Sequence, residues 1–309
     1  MSSQNVAEVA NYTAYTLLGL GLLFTNATII LIVSRHRTLR AKKEYIILTG
    51  LAFADALMGF STLSAALYRA NLFLTNRTDE NVRRQACLFT PHFIPLSFSM
   101  IFEGAAMFAV SIDRYLAIRA PLQYRLFGKK YAFGMLALCA TFALIYVLIG
   151  SIRLPTVTSE STLVGAVCLI SAWDQHTNTF MYFWRAILSA ASVTLYAGTV
   201  FVYAKKMQAR TATSVIVTRQ RVAQRRFTVT TGISNSLTFF LTVVPSCVML
   251  EWKLTDNRQM AARWGTVFWI LNCVNAMLNL FIYAARHRDI RLGLRFIRRP
   301  KELPAPSAV

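Results

Sequence analysis

The sequence is short of charge, and above all of negative charge. Only 15% of its 309 residues are charged, whereas soluble domains carry about 25%. Asp and Glu number 13 against 33 Lys and Arg, which gives a formal net charge of +20. Because 55% of the residues are hydrophobic, this deficit argues against a soluble globular chain and favours one that lies mostly in lipid.

Cysteine, proline and glycine are also scarce, at 5, 8 and 13 residues. These numbers exclude a disulfide scaffold, a collagen-like chain and a long low-complexity segment. The sequence also lacks the His-x-x-Glu-His, nucleophile-elbow and P-loop patterns, and it contains only four histidines. We therefore expect neither an enzyme nor an organic cofactor.

Long apolar stretches dominate what is present. A helix needs about 20 mostly apolar residues to cross the hydrocarbon of a bilayer, and seven stretches meet that length. They run over Tyr12–Val33, Tyr45–Tyr68, Leu88–Ile118, Tyr131–Ile152, Thr179–Tyr203, Phe227–Leu250 and Trp264–Ala285. Most are apolar on all sides, which favours spanning helices over the helices of a soluble core. The prediction is an all-α membrane protein, a seven-transmembrane helix bundle.

The positive charges predict how the bundle is oriented. Of the 33 Lys and Arg residues, 24 lie on one side of the predicted bundle, in the segments that follow the first, third, fifth and seventh stretches or at the end of the third stretch. The other 9 lie on the opposite side. Because an excess of Lys and Arg marks the cytoplasmic side, the N-terminus is predicted outside. A positively charged cytoplasmic face is suited to contact an anionic lipid bilayer and a cytosolic protein partner, and it gives less support to nucleic acid as a partner. We expect a multi-pass protein of the plasma membrane.

This orientation divides the chain into four segments. They are an extracellular N-terminus at 1–11, the bundle at 12–285, a short amphipathic eighth helix at 286–299 and a cytoplasmic tail at 300–309. Asn11 and Asn76 begin glycosylation sequons on the predicted outer side. Cys87 and Cys168 also lie outside, where thiols are oxidised. We predict that they form a disulfide, with two free surface thiols as the alternative.

Several polar residues fall in one layer near the middle of the predicted bilayer. At 1.5 Å per residue, Asp55, Glu103 and Asn275 lie about 15 Å from the cytoplasmic side. Two carboxylates in that layer need a cation or a shared proton. We predict a site, for sodium or for a proton, formed by Asp55, Glu103, Asn275 and Asn279. A purely structural hydrogen-bond network is the alternative at this site, and a secondary transporter with a midplane cation site is the alternative function.

Two motifs carry a family resemblance. Asp113-Arg114-Tyr115 ends the third stretch and is followed by Pro121-Leu122, while Asn279-Leu280-Phe281-Ile282-Tyr283 lies in the seventh. With these motifs in place, the chain resembles the rhodopsin-like (class A) G-protein-coupled receptors over essentially its whole length. Leu280 and Val243 stand where that family has proline and tryptophan. These departures look like those of divergent nematode serpentine chemoreceptors of the Srsx type.

The resemblance implies a receptor that binds an extracellular ligand and activates a heterotrimeric G protein through the cytoplasmic end of span three. In the family, Asp113 restrains Arg114 at rest, and Tyr203 and Tyr283 move toward Arg114 on activation; Tyr115 completes the motif. Arg225 stands where some members carry an acidic partner for this arginine, so we expect high basal signalling. Chemosensory and neuropeptide roles both remain open.

The resemblance also implies a ligand cavity in the outer half of the bundle. Its predicted lining is Leu96, Ser97, Met100, Ile187, Ser246, Leu250 and Trp269, which suits a small hydrophobic chemical or a peptide end. The alternative is that several of these side chains only pack between helices. Leu96 stands where amine receptors carry Asp, which argues against an amine ligand. His92 and Arg185 are expected at a solvated rim, with contact to an anion as the alternative.

Overall fold

The computed structural model describes residues 3–154, 163–208, 232–233, 235–286, 290–291 and 293–294. Seven of the helices in these ranges are long and apolar enough to cross a membrane, so the predicted bundle is confirmed. We number them in chain order as α1 Ser3–Arg35, α2 Lys43–Leu74, α3 Phe93–Arg119, α4 Lys129–Arg153, α5 Gln175–Gln208, α6 Asn235–Leu254 and α7 Arg258–Arg286. Short helices at Arg37–Arg40 and Pro121–Leu126 join α1 to α2 and α3 to α4.

Most helix ends differ from the predicted stretches, and the starts of α1 and α3 change the interpretation of a segment. Helix α1 begins at Ser3, so most of the predicted extracellular segment 1–11 is helical. Leu88 lies in a 3₁₀ helix, Arg84–Phe89, and α3 itself begins only at Phe93. Phe227, where the sixth stretch was predicted to begin, lies outside the described residues. Hydropathy alone cannot separate a spanning helix from an apolar loop that packs on its end.

Helices α1 and α2 approach closely because glycines face the partner helix. A Cβ atom on Gly19 would lie 2.6 Å from the backbone nitrogen of Leu63, and one on Gly59 would lie 2.7 Å from that of Leu23. Small residues at such crossings let helices pack in lipid, where no hydrophobic effect draws them together. The largest apolar cluster lies between α2, α3, α4 and α5, around Met100, Ala143 and Met181.

Helix α6 changes its winding ahead of its proline. Residues Phe239–Val243 form a π turn, and Pro245 follows directly in the regular helix Val244–Leu254. Proline has no backbone N–H and its ring clashes with the carbonyl four residues before it. A wider turn at that point relieves the clash, and such turns often occur at functional sites.

The connections at one end of the bundle form a small hairpin. Strand β1 (Asn81–Arg83) pairs antiparallel with β2 (Leu163–Gly165), with Val82 opposite Val164. Next to it Cys87 and Cys168 form a disulfide, with Cα atoms 5.4 Å apart, which confirms the predicted pairing. We call this the disulfide end of the bundle. The opposite end, where α3 carries Asp113 and Arg114, is the arginine end.

Part of the predicted eighth helix packs at the arginine end. Ile290 is fully buried in a cluster with Ile32 and Tyr283, and Leu294 packs against the same cluster. Most of 286–299, the whole tail 300–309 and Arg225 lie outside the described residues. The predicted segment boundaries therefore stay predictions.

Candidate functional site

At the arginine end, the acidic and basic residues of the motif contact each other. Arg114 Nη2 donates a hydrogen bond to Asp113 Oδ2, and Asp113 is almost completely buried. The Tyr124 hydroxyl donates to both carboxylate oxygens of Asp113, at 3.0 and 3.1 Å. Burial raises the pKa of Tyr124, so its phenol stays protonated and remains a donor. Asp113 thus holds both the arginine and the short helix Pro121–Leu126.

A lysine at the start of α2 binds the segment between α3 and α4 that contains Tyr124. Lys43 Nζ donates to the carbonyl of Tyr124 and, at 2.9 Å, to that of Phe127. The ammonium also lies 3.5 Å from the centre of the Tyr124 ring. Sequence reasoning missed both Lys43 and Tyr124. The only signal was the position of Tyr124, three residues after the Pro121 that begins the short helix.

The remaining tyrosines of the predicted activation set lie toward the arginine end. Tyr283 is buried in the cluster with Ile32 and Ile290. The Tyr203 hydroxyl is buried and has no hydrogen-bond partner among the described residues. Tyr115, next to Arg114, is partly buried. Their movement on activation stays a prediction.

The four residues predicted to hold sodium make their contacts with different partners. Asn279 Nδ2 donates to Asp55 Oδ2 at 3.2 Å, which joins α7 to α2. Asn275 instead accepts from Thr238 on α6 at 3.3 Å, and Glu103 is engaged elsewhere. Asp55 Oδ1 is buried without a partner in the described part of the chain, so one hard oxygen donor is free for a cation or a proton. Sodium at Asp55 remains a prediction.

Glu103 pairs with an arginine that the sequence analysis placed elsewhere. Arg185 Nη2 lies 3.3 Å from Glu103 Oε2, and the two side chains are 6% and 3% exposed. The expectation of a solvated rim position for Arg185 is therefore wrong. It is also wrong for His92, which is 1% exposed and whose Nε2 lies 3.2 Å from the carbonyl oxygen of Cys168. The error arose because positions along a helix were judged by depth, without the direction of the side chain.

The His92 ring is held as a neutral donor. Because a carbonyl oxygen can only accept, Nε2 carries the proton, and Nδ1 is buried without a partner. Burial lowers the pKa of His92 to about 4, since water no longer solvates the imidazolium. The histidine thus joins α3 to the backbone next to the disulfide.

A large cavity opens between the helices at the disulfide end. Its volume is about 790 Å³, and α1, α2, α3, α5, α6 and α7 all contribute to its wall. Leu96, Met100 and Trp269 line it as predicted. A smaller cavity of about 40 Å³ is lined by some of the same residues and reaches Ser246, Arg185 and Asn272.

The other predicted lining residues lie outside the large cavity. Ser97 is fully buried and accepts a hydrogen bond of 2.8 Å from Trp173 Nε1. Trp173 lines the cavity and separates Ser97 from it. Leu250 lines a separate groove beside α4 and α5, and Ile187 is 42% exposed on the surface of the bundle. The structure therefore does not place Ile187, Leu250 or Ser97 in the cavity wall.

The two sequons are accessible in different settings. Asn76 is exposed in the turn that follows α2, with a φ of 55°, a conformation that asparagine tolerates. Asn11 is exposed within α1. Glycosylation at both stays a prediction.

Comparison with known proteins gives one family match and distant relatives. The sequence model described as seven-transmembrane receptor of the rhodopsin family matches residues 25–283. Olfactory receptor 1571 of Rattus norvegicus is 25% identical over 265 residues, which are 83% of this chain and 100% of the relative. Olfactory receptor 7A40 of Mus musculus is 26% identical over 266 residues, which are 83% of this chain and 81% of the relative. The resemblance to nematode Srsx receptors is not among these matches and stays a prediction.

Proposed function

Because the chain belongs to the rhodopsin family of seven-transmembrane receptors, we propose that it binds an extracellular ligand and activates a heterotrimeric G protein through the cytoplasmic end of α3. The proposal places the disulfide end outside the plasma membrane and the arginine end in the cytosol. The main support for this function is that one helix, α3, lines a cavity of about 790 Å³ near its start and bears the Asp113–Arg114 pair near its end.

The geometry supports a signal that passes along α3. Leu96 and Met100 line the cavity, and Arg114 is reached about 14 residues later, or about 21 Å at the rise of an α-helix. A ligand that prefers one arrangement of α3 and its neighbours shifts the population of that arrangement. Release of Arg114 from Asp113 would then present a guanidinium to the partner.

We favour a chemosensory ligand over a neuropeptide. The support is that both reported relatives are named olfactory receptors, at identities that leave the ligand open. The apolar wall formed by Leu96, Met100 and Trp269 suits a small molecule with an apolar body. The family is one of receptors and not of enzymes, and it gives no support to the transporter alternative.

The test is nucleotide exchange on purified G proteins. Membranes containing the receptor are mixed with heterotrimers of each Gα class, and binding of a non-hydrolysable GTP analogue is followed. We expect basal exchange above that of empty membranes, and its loss in Arg114→Ala, because the guanidinium contacts the G protein.

Arg119→Ala is the matched control, since Arg119 is an exposed cation at the end of the same helix. It should retain most of the exchange. Exchange that survives Arg114→Ala, or a wild type that stimulates no Gα class, would contradict the proposal.

A further inference from the structure

Two arginines line the cavity at the disulfide end and have no carboxylate partner among the described residues. Arg69 comes from α2 and Arg84 from the 3₁₀ helix Arg84–Phe89, and both side chains are partly buried. Within the described residues, neither guanidinium forms an ion pair. Arg69 Nε donates to the carbonyl of Val167 at 3.1 Å, and Arg84 Nε is buried with no hydrogen-bond partner.

The disulfide brings the backbones beside these two arginines together. Val167, whose carbonyl holds Arg69, directly precedes Cys168 in the sequence. Cys168 is bonded to Cys87, which lies in the same 3₁₀ helix as Arg84. The backbone of Arg84 and the carbonyl that binds Arg69 therefore belong to one covalently linked region.

The acidic residues of the cavity wall, Asp174 and Asp256, lie on other elements. Asp174 lies just before α5, and its Oδ2 accepts a hydrogen bond of 3.1 Å from the backbone nitrogen of Thr177, while its Oδ1 has no partner among the described residues. Asp256 lies in the turn between α6 and α7, and Lys253 near it adds a further cation to the wall. Neither carboxylate lies within ion-pair distance of Arg69 or Arg84 in the part of the chain that is described.

A partly buried guanidinium without a counter-ion loses hydration and gains no pairing in return. Its planar fork of N–H groups matches a carboxylate through two parallel hydrogen bonds. Arg185, deeper in the bundle, differs because Glu103 already pairs with it. The unpaired positive charge of the cavity thus lies at Arg69 and Arg84, beside the disulfide.

We propose that the ligand of this cavity is a small organic acid. Its carboxylate binds between Arg69 and Arg84, and its apolar body packs against Leu96, Met100 and Trp269. This inference rests on the proposed receptor function and adds the chemical class of the ligand.

The experiment measures binding without any G protein. The purified receptor in lipid nanodiscs is screened by thermal unfolding against straight-chain and aromatic carboxylic acids, each paired with its primary alcohol. We expect some acids to raise the unfolding temperature and their alcohols to have no effect. The dissociation constant of the best acid is then measured for the variants.

Arg69→Gln and Arg84→Gln should each weaken binding of that acid by about tenfold or more, as expected for loss of a charge-assisted hydrogen bond. Arg83→Gln is the matched control, because Arg83 is an exposed neighbour that does not line the cavity. Arg69→Lys, which keeps the charge and loses the fork, should lie between wild type and Arg69→Gln. If Arg69→Gln fails to fold because Val167 loses its donor, Arg84→Gln alone decides.

Three results would overturn the inference: alcohols that bind as well as their acids, no acid that binds, or full affinity in Arg84→Gln. Failure of the two tests is distinguishable. If acids bind and no G protein is activated, the receptor proposal fails and the acid site stands. If exchange depends on Arg114 and no acid binds, the receptor proposal stands and this inference fails.

Discussion

The two ends of the bundle are held together by different kinds of contact. At the disulfide end, a covalent bond and hydrogen bonds of buried side chains fix the elements around the cavity, as in Cys87–Cys168 and Trp173–Ser97. At the arginine end, the contacts of Asp113, Arg114, Tyr124 and Lys43 are hydrogen bonds between charged or phenolic groups and their neighbours. No covalent bond joins helices there among the described residues.

This difference suggests which end can rearrange. Breaking the disulfide-end contacts would strand buried polar groups away from water, which is expensive. Arg114 at the other end is 12% exposed, so its side chain can exchange one charged partner for another with less loss of solvation. A fixed cavity with a rearrangeable arginine end is consistent with the receptor function proposed above. Three measurements test this difference between the two ends.

The largest effect is expected at the buried ion pair of Glu103 and Arg185. Arg185→Met removes the partner of Glu103 and leaves a carboxylate buried and unpaired, which should cost about 3–5 kcal/mol of stability. The double variant Arg185→Met, Glu103→Met replaces the pair with apolar groups of similar size. It should recover most of that loss.

Thermal unfolding of both variants in nanodiscs is the measurement. A single variant as stable as wild type would mean that Glu103 is hydrated or takes up a proton once Arg185 is removed, and that the ion pair does not stabilise the bundle. A double variant no better than the single one would contradict the charge explanation.

The second effect is a dependence of stability on pH at His92. Burial lowers the pKa of His92 from 6.5 to about 4, so the unfolded chain binds a proton more readily than the folded one. The contribution of His92 to stability is therefore complete above about pH 6.5 and is lost as the pH falls toward 4. A shift of this size corresponds to about 3–4 kcal/mol. The ring lies beside Tyr68, at 5.4 Å between ring centres, and the carbonyl of Cys168. The positive charge of Arg69 also lowers the pKa of His92.

Unfolding temperatures of wild type and His92→Gln, compared from pH 7.5 to pH 4.5, isolate this contribution. The wild type should lose more stability than the variant across that range. Parallel curves would show that the imidazole is solvated, against the buried setting described at this end.

The sequence predicted the framework of the protein well and the contacts of its charged residues poorly. The seven stretches, the pairing of Cys87 with Cys168 and the polar layer at Asp55 follow from hydropathy, compartment and helix rise. The pairing of Glu103 with Arg185 does not, because it joins positions 82 residues apart on helices whose rotation no periodicity fixes when both are apolar on most sides. The position of Arg69 and Arg84 in the cavity wall was not predicted for a similar reason. A count of positive charges indicates the side of the membrane on which a residue lies and does not give the direction of its side chain.

The smallest effect is expected at the arginine end. Tyr124→Phe removes the hydroxyl that donates to the Asp113 carboxylate at 3.0 and 3.1 Å, and should lower stability by about 1.5–3 kcal/mol. Tyr131→Phe is the matched control, because the Tyr131 hydroxyl is buried with no partner in the described residues and its removal should be neutral or slightly stabilising. Thermal unfolding of the two variants side by side separates loss of a hydrogen bond from loss of a hydroxyl. Equal effects would mean that Tyr124 packs against α3 without holding Asp113, and the charged network at this end would then reduce to the pair Asp113–Arg114 and the contacts of Lys43.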